Sequence, residues 1–151
     1  MNECENKFQE WLDHKKLPYL FIEQSPESFA TFFRNITKRP DYLIVLPSIV
    51  LIAVDTKERK LHESYENYIL DEKEEIIKLT SFQRIFRIPV WFAISNKESA
   101  YRTWYWISLT EILEKVPTKK SKKSGERFRA INIKDCITIG WDDGFEKLFK
   151  F

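Results

Sequence analysis

The stretch that decides the fold is RPDYLIVLPSIVLIAVDTKERK, residues 39 to 60. Two hydrophobic runs, Tyr42–Leu46 and Ile49–Val54, stand back to back in it, with only Pro47 and Ser48 between them. Strand-like runs joined by so short a connection predict an antiparallel β-hairpin. Charged side chains stand at the open end of this hairpin, although the strands themselves are apolar. The spacing of these charges is the first clue to function.

Asp55, Thr56 and Lys57 follow the second hydrophobic run directly. Because side chains alternate along a strand, Asp55 and Lys57 point to the same face and Thr56 points away. An ordinary ion pair at a solvated strand end is one interpretation of this arrangement. The other is a functional site, and the choice depends on what lies across the hairpin.

The register of the hairpin decides which residue lies opposite Asp55. With a three-residue loop, Pro47-Ser48-Ile49, Leu46 pairs with Val50 and Asp41 falls opposite Asp55. Side chains paired in this way share a face, with Cβ atoms about 4.5–5.5 Å apart. A two-residue loop would place Asp41 on the wrong face. We therefore expect an odd loop, or a bulge that restores the same parity.

Two carboxylates and an ammonium then converge at one end of the hairpin. Carboxylates so close repel each other unless a cation lies between them. Mg²⁺ binds one or two carboxylates together with waters and substrate phosphate. A neighbouring lysine can orient an attacking water and stabilise the charge that develops on a phosphate. These groups suit metal-assisted phosphodiester hydrolysis.

Pro40-Asp41, followed 14 positions later by Asp55 in Asp55-Thr56-Lys57, resembles the signature of the PD-(D/E)XK nuclease superfamily. The resemblance covers residues 3–95 and extends to the order of helix, strand, PD strand, DXK strand, helix and strand. It implies an α/β fold with a mixed central β-sheet flanked by helices, a restriction endonuclease-like core (αβββαβ). It also implies that Asp41 and Asp55 bind Mg²⁺ or Mn²⁺ and that Lys57 is catalytic.

Within that superfamily the chain looks most similar to the archaeal-type Holliday junction resolvases. Those proteins carry a metal-binding glutamate in the first helix, which matches Glu5. A polar residue on the helix after the signature reaches the active site in several members, and Gln83 is the candidate for that role. The stretch before Pro40 is rich in phenylalanine, where the resolvases have a polar Gly/Ser-rich loop. The sequence therefore leaves open whether the preferred substrate is a junction, a flap or a duplex.

The rest of the chain predicts an alternating α and β pattern in one nuclease-like domain, residues 1–151. The core occupies residues 3–95, and further strands, a short helix and a basic loop follow in 96–151. Predicted helices cover 3–15, 72–87 and 109–116. Predicted strands outside the hairpin cover 19–24, 90–95, 101–108 and one or two within 127–139. Residues 58–75 are predicted as a charged loop leading into the second helix, and 117–126 as a basic loop.

Two groups of side chains are candidates for contact with nucleic acid. The first is basic and is either a phosphate-binding patch or a solvated surface. It comprises Lys38, Arg39, Lys119, Lys120, Lys122 and Lys123, with Arg127 and Arg129 beside it. The second is aromatic: Trp104 and Trp106 alternate in one strand, where packing in a core or a dimer is favoured over stacking on bases.

Composition limits the function classes. The chain has 151 residues, a net charge of +2 and two cysteines, which do not make a disulfide framework or a zinc site. Its polar N-terminus and short apolar runs predict a cytoplasmic protein without a membrane span. We expect a DNA endonuclease that is either structure-selective or a subunit of a larger machine. Cutting two strands would favour a homodimer. An RNase, or a nuclease-fold module that binds nucleic acid or protein without cutting, remains an alternative.

Overall fold

A computed structural model of the chain describes residues 2–47, 50–60 and 67–149. Its first helix, α1 (Glu3–His14), begins at Asn2, whose side chain accepts a hydrogen bond from the amide of Glu5. The buried face of this helix repeats at the helical period. That face consists of Cys4, Phe8, Trp11 and Leu12. The first predicted helix is therefore confirmed.

The strands among the described residues follow in chain order. They are β1 (Tyr19–Phe21), β2 (Tyr42–Leu46), β3 (Val50–Glu58), β4 (Asn67–Asp71), β5 (Val90–Ser95), β6 (Thr103–Ser108), β7 (Thr118–Lys120), β8 (Arg127–Asn132) and β9 (Ile137–Gly140). The remaining helices are a π-helical turn (Glu72–Ile77) continuing into α2 (Lys78–Phe86), and α3 (Leu109–Lys115). Short 3₁₀ turns occupy Pro26–Ser28, Thr31–Phe33, Lys97–Ser99, Ile133–Asp135 and Phe145–Phe149.

The main sheet is mixed and runs in the order β1-β2-β3-β5-β6-β9. β3 and β5 are parallel, and the other neighbouring pairs in this sheet are antiparallel. A parallel pair needs a crossover, and the chain between β3 and β5 contains the π-helical turn and α2. The fold is therefore α/β with a mixed multi-stranded sheet, as predicted.

Helices cover both faces of this sheet. Ile52 and Val54 of β3 pack in a core with α1, whereas Ala53 packs in a second core with α2 and α3. Trp104 and Trp106 are fully buried in the core beneath α1, which confirms that they pack inside the protein. Because they are buried, these two indoles are not available for base stacking or for an interface between copies.

A smaller antiparallel sheet, β4-β8-β7, lies against the second core and corrects two predictions. Asn67–Asp71, predicted as part of a charged loop, is a strand whose Tyr68 and Leu70 are buried. Thr118–Lys120, predicted as part of the basic loop, is a short strand paired with β8. Both strands depend on pairing with β8, which is distant in sequence from β4. The predicted loop residues 61–66 lie outside the described residues.

No helix within the described ranges is long and apolar enough to cross a membrane.

Candidate active site

The β2–β3 hairpin has the register that the sequence predicts. Leu46 pairs with Val50 and Tyr42 pairs with Val54, so the connection has an odd number of residues. Residues 48 and 49 of the predicted loop lie outside the described residues. The pairing ends at Tyr42 and Val54, and the backbone N–H of Asp41 also donates to the carbonyl oxygen of Val54, at 3.0 Å. Asp41 therefore lies at the open end of the hairpin, but it is not paired with Asp55.

The carboxylate of Asp41 is predicted to share a face with Asp55, but in the structure it is directed to Thr56. Its Oδ2 accepts hydrogen bonds from the backbone N–H of Thr56 at 2.8 Å and from the Thr56 hydroxyl at 2.9 Å. By alternation from Val54, the Thr56 side chain points toward α1, away from the face of Asp55. Asp41 lies in a bend before β2, so its side chain does not follow the alternation of the strand.

Asp41 and Asp55 nonetheless interact electrostatically. Burial, the charge of Asp55 and, to a smaller extent, that of Glu5 raise the pKa of the Asp41 carboxyl from 3.8 to about 7. The hydrogen bonds from Thr56 act in the opposite direction. Burial is therefore the main reason for the raised pKa of Asp41, and the nearby charge of Asp55 adds to it.

Asp55 is the most deeply buried carboxylate of the cluster, with 1% of its surface exposed. Its Oδ2 lies 2.9 Å from the ammonium of Lys57 and 3.3 Å from that of Lys38. Its Oδ1 is buried and has no hydrogen-bond partner among the described residues. A buried carboxylate oxygen without a partner is costly, and a bound cation is one way of satisfying it.

Lys57 is shared between two carboxylates. Its Nζ lies 2.9 Å from Asp55 and 3.1 Å from Oε1 of Glu75, at the start of the second helical segment. Burial alone would lower the pKa of Lys57, but the charges of Asp55 and Glu75 outweigh it and raise that pKa above its ordinary value. The ammonium is therefore held in its charged form.

Lys38 is predicted to contact a nucleic-acid backbone, and the structure places its ammonium in the charged cluster. It approaches Asp55 from the segment before β2. Burial lowers the pKa of Lys38, and the charge of Lys57 lowers it further. The charge of Asp55 acts in the opposite direction and compensates part of this effect. Two ammonium groups and one carboxylate oxygen thus form a compact group.

Sequence reasoning missed Glu75 and Arg59. Arg59 lies two residues after Lys57, and its guanidinium is 3.0 Å from the same Glu75 oxygen that binds Lys57. Alternation along β3 could have indicated Arg59, because it belongs to the same series as Asp55 and Lys57. Nothing in the sequence singles out Glu75 among the acidic residues of 72–75, since only the docking of the helix selects it.

Glu5 lies near the cluster but is engaged in capping. Its carboxylate accepts a hydrogen bond from the backbone N–H of Asn2 at 3.2 Å, and its carbonyl oxygen accepts one from the hydroxyl of Tyr42 at 3.1 Å. Tyr42 directly follows Asp41, so the first turn of α1 lies beside the hairpin end. The metal-binding role of Glu5 stays a prediction.

Gln83 is not brought to the cluster, in contrast to the predicted role. Its Oε1 accepts from the backbone N–H of Val90 at 2.8 Å, and its Nε2 donates to the hydroxyl of Thr110 at 3.3 Å. Val90 pairs with Ala53, four residues before Lys57 along β3. Gln83 therefore satisfies a buried amide at the first residue of β5 and not a group of the charged cluster.

Arg39 also has a structural role in place of the predicted phosphate contact. Its guanidinium donates to the carbonyl oxygens of Glu23, Gln24 and Ser25 at 2.7–2.9 Å. It also lies over the ring of Phe29, 4.7 Å from the centroid. Arg39 thereby anchors the irregular segment between β1 and β2.

The remaining basic residues gather at the tip of the β7–β8 hairpin. Lys119, Lys120, Lys122 and Lys123 are exposed, and Gly125 supplies a positive φ of 74° in the turn. Arg129 does not belong to this basic tip, because it forms a two-pronged ion pair with Glu72 and donates to the carbonyl oxygen of Val116. The tip therefore offers solvated ammonium groups.

Two clefts flank the charged cluster. A cleft of about 530 Å³ is bordered by Arg59 and Glu75 on one side and by Ser121 and Arg127 of the basic tip on the other. A second cleft, of about 360 Å³, is bordered by Arg34, Lys38 and Lys78. Glu75 lines both clefts, so the Lys57–Glu75 pair lies between them.

The donor set determines which metal the cluster can accept. Within the described part of the chain, no group of three or more His, Cys, Asp or Glu is arranged to hold a metal ion. Asp41 and Asp55 supply hard oxygen ligands, and Asp55 Oδ1 lacks a partner among the described residues. Mg²⁺ needs only one or two carboxylates when water and a phosphate complete its shell, so Asp55 fits that ion through this Oδ1, and Asp41 would join it only if its carboxylate turned from Thr56.

The chain matches no protein-family model and no curated protein. The resemblance to PD-(D/E)XK nucleases accordingly depends on the sequence signature and stays a prediction.

Proposed function

We propose that the protein is a metal-dependent nuclease that hydrolyses phosphodiester bonds and acts as a DNA endonuclease of the PD-(D/E)XK type. One observation carries this proposal. Asp55 has a buried oxygen, Oδ1, without a partner among the described residues, while its other oxygen, Oδ2, contacts Lys57 at 2.9 Å. A purely structural ion pair has no need of a buried carboxylate oxygen that is left unsatisfied.

The order of elements also supports the proposal. Within residues 3–95 the sequence of α1, β1, β2, β3, α2 and β5 corresponds to the αβββαβ core, with β4 inserted before the second helix. The signature residues lie at the end of an antiparallel pair whose second strand is parallel to β5. The residues of 96–151 would then extend this core in one domain by two strands of the main sheet and by the basic tip.

Each residue of the cluster has a distinct role in the proposed reaction. Asp41 and Asp55 would hold Mg²⁺ or Mn²⁺, which supplies positive charge for the phosphate oxygens as the bond breaks. Lys57 would donate a hydrogen bond to the attacking water and hold it beside the phosphate. Lys38, on the other side of Asp55, would bind a second non-bridging oxygen of the substrate backbone.

The substrate class follows from the surroundings of the cluster. A polyanionic backbone would follow the two clefts that meet at Glu75, the partner of Lys57, with the basic tip at one end and the cleft beside Lys38 at the other. Ammonium groups on a solvated tip bind phosphates without reading bases. We therefore propose a nuclease that recognises backbone or shape, for which DNA is the first candidate and RNA the second.

A cleavage assay tests this proposal. Wild type, Lys57→Met and the surface control Lys115→Met would be incubated with Mg²⁺ or Mn²⁺ and labelled linear duplex, single strand, flap, four-way junction and RNA duplex. We expect cleavage by wild type and by the control, and none by Lys57→Met. Equal cleavage by all three proteins would refute a catalytic cluster, and the preferred substrate would name the subclass.

A second candidate, a nuclease-fold module that binds without cutting, is favoured by one observation. Lys38 and Lys57 already neutralise Oδ2 of Asp55, so the cluster is partly compensated by its own side chains. Metal titration distinguishes the two candidates. A binding module should show no affinity for Mn²⁺ that depends on Asp41 and Asp55, whereas a nuclease should lose that affinity in Asp55→Asn.

A further inference from the structure

A divalent cation bound by Asp55 would compete with the ammonium of Lys57 for the negative charge of that carboxylate. In the structure Lys57 is 2.9 Å from Oδ2 of Asp55, and Lys38 is 3.3 Å from the same oxygen. A cation bound by Asp55 would meet these like charges at close range, and burial makes the repulsion stronger than in water. Although both ammonium groups contact Oδ2 and the oxygen without a partner among the described residues is Oδ1, this repulsion favours a movement of at least one ammonium away from Asp55 when a metal binds.

Glu75 offers the ammonium of Lys57 a second acceptor within reach. Its Oε1 is 3.1 Å from Nζ of Lys57, so a small movement transfers the ammonium from one carboxylate to the other. Only 13% of the Glu75 side chain is exposed, which strengthens the attraction relative to a surface pair. Neither carboxylate has to leave its place for this transfer.

Other contacts fix Glu75 in position. Arg59 binds its Oε1 at 3.0 Å, and the backbone N–H of Asp71 donates to its Oε2 at 3.2 Å. The residue lies in a π-helical turn, Glu72–Ile77, directly after β4. Such turns are rare and frequently occur at functional sites. The acceptor is thus anchored independently of Lys57.

We propose that Glu75 is a positioning residue that holds the ammonium of Lys57 away from the metal-binding oxygens of Asp55 while a divalent cation is bound. The inference rests on the proposed function and deepens it. Glu75 would itself touch neither the metal nor the substrate. Its effect on metal affinity would pass through Lys57.

A double-mutant cycle on metal affinity tests this directly. Mn²⁺ binding would be measured by calorimetry for wild type, Glu75→Gln, Lys57→Met and the double variant, with Asp55→Asn as the control for the site. Removing the charge of Glu75 leaves the ammonium on Asp55, so Glu75→Gln should weaken Mn²⁺ binding. Because Lys57→Met removes the competing ammonium, Glu75→Gln should matter much less in that background. Thermal unfolding of each variant confirms that it is folded.

We expect the weakening by Glu75→Gln to be about tenfold larger with Lys57 present than with Lys57→Met, within the range of couplings between contacting residues. A direct electrostatic effect of Glu75 on the metal appears in both backgrounds and cancels in the cycle. An equal factor in both backgrounds, or tighter binding by Glu75→Gln, overturns the inference. If Glu75→Gln does not fold, Glu75→Asp, which keeps the charge but shortens the reach to Lys57, replaces it in the same cycle.

The same experiment separates the inference from the proposed function. Wild-type protein that binds no Mn²⁺, or binds it equally well with Asp55→Asn, overturns the proposed function and the role of Glu75 with it. Binding that depends on Asp55 but shows no coupling between Glu75 and Lys57 overturns the role of Glu75 alone.

Discussion

Asp41→Asn should make the protein more stable at neutral and alkaline pH. The asparagine side chain keeps an oxygen that can accept both hydrogen bonds from Thr56, which measure 2.8 and 2.9 Å in the structure. It carries no charge, so it removes the repulsion from Asp55 and the cost of burying a carboxylate. The variant therefore changes the electrostatics of the hairpin end while its hydrogen bonding is preserved.

The magnitude follows from the raised pKa. The Asp41 carboxyl has a pKa of about 7 in the folded protein against an ordinary value of 3.8. In the unfolded chain it releases its proton near the lower value, and in the folded protein near the higher one. The folded state thus binds more protons between these values, and the free energy of unfolding falls as the pH rises. At about 1.4 kcal/mol per pKa unit, the total loss is about 4 kcal/mol.

Urea unfolding of wild type and Asp41→Asn at about pH 4 and about pH 8 measures this loss. The two proteins should differ little at the lower pH, and the variant should be more stable by up to about 4 kcal/mol at the higher pH. The exposed Asp142 gives a matched control, Asp142→Asn, which should show no such change. A variant less stable than wild type at both pH values would refute the reasoning. Under the proposed function, saturating Mg²⁺ should remove most of the difference at the higher pH.

Three further predictions concern residues that the structure places outside the charged cluster or at its margin. Arg39→Lys keeps the charge but loses most hydrogen bonds to the segment before β2, so thermal unfolding should show a loss of about 1–3 kcal/mol and a titration should show unchanged nucleic-acid affinity. Gln83→Leu leaves the buried N–H of Val90 without an acceptor and should cost about 1–3 kcal/mol in urea unfolding. Its cleavage rate should equal that of wild type, and a slower rate at the same folded fraction would return Gln83 to the active site. The double variant Lys122→Glu and Lys123→Glu should bind nucleic acid more weakly, with a salt dependence shallower by about 0.9 per lost phosphate contact. Unchanged binding would place the substrate path elsewhere.

The sequence by itself determined the main hairpin and its register. Two apolar runs and the parity of their connection are local properties, and they set the pairing from Leu46 with Val50 to Tyr42 with Val54 before any tertiary contact is known. The amphipathic period of α1 and the apolar runs of β5 and β6 are equally local. For the same reason Asp55 and Lys57 could be predicted to share a face, since alternation is built into a strand.

Only the tertiary structure decided which other side chains join the charged cluster. Glu75 reaches Lys57 because the π-helical turn docks beside β3, and no local pattern distinguishes it from its acidic neighbours. A family resemblance predicts Gln83 in the site, but the packing of α2 directs it to the backbone N–H of Val90 at the start of β5. The pairing of β4 with β8 likewise joins segments far apart in the chain. Periodicity specifies which face of an element is buried, whereas the packing of distant elements specifies what that face meets, and the chemistry of this site depends on both.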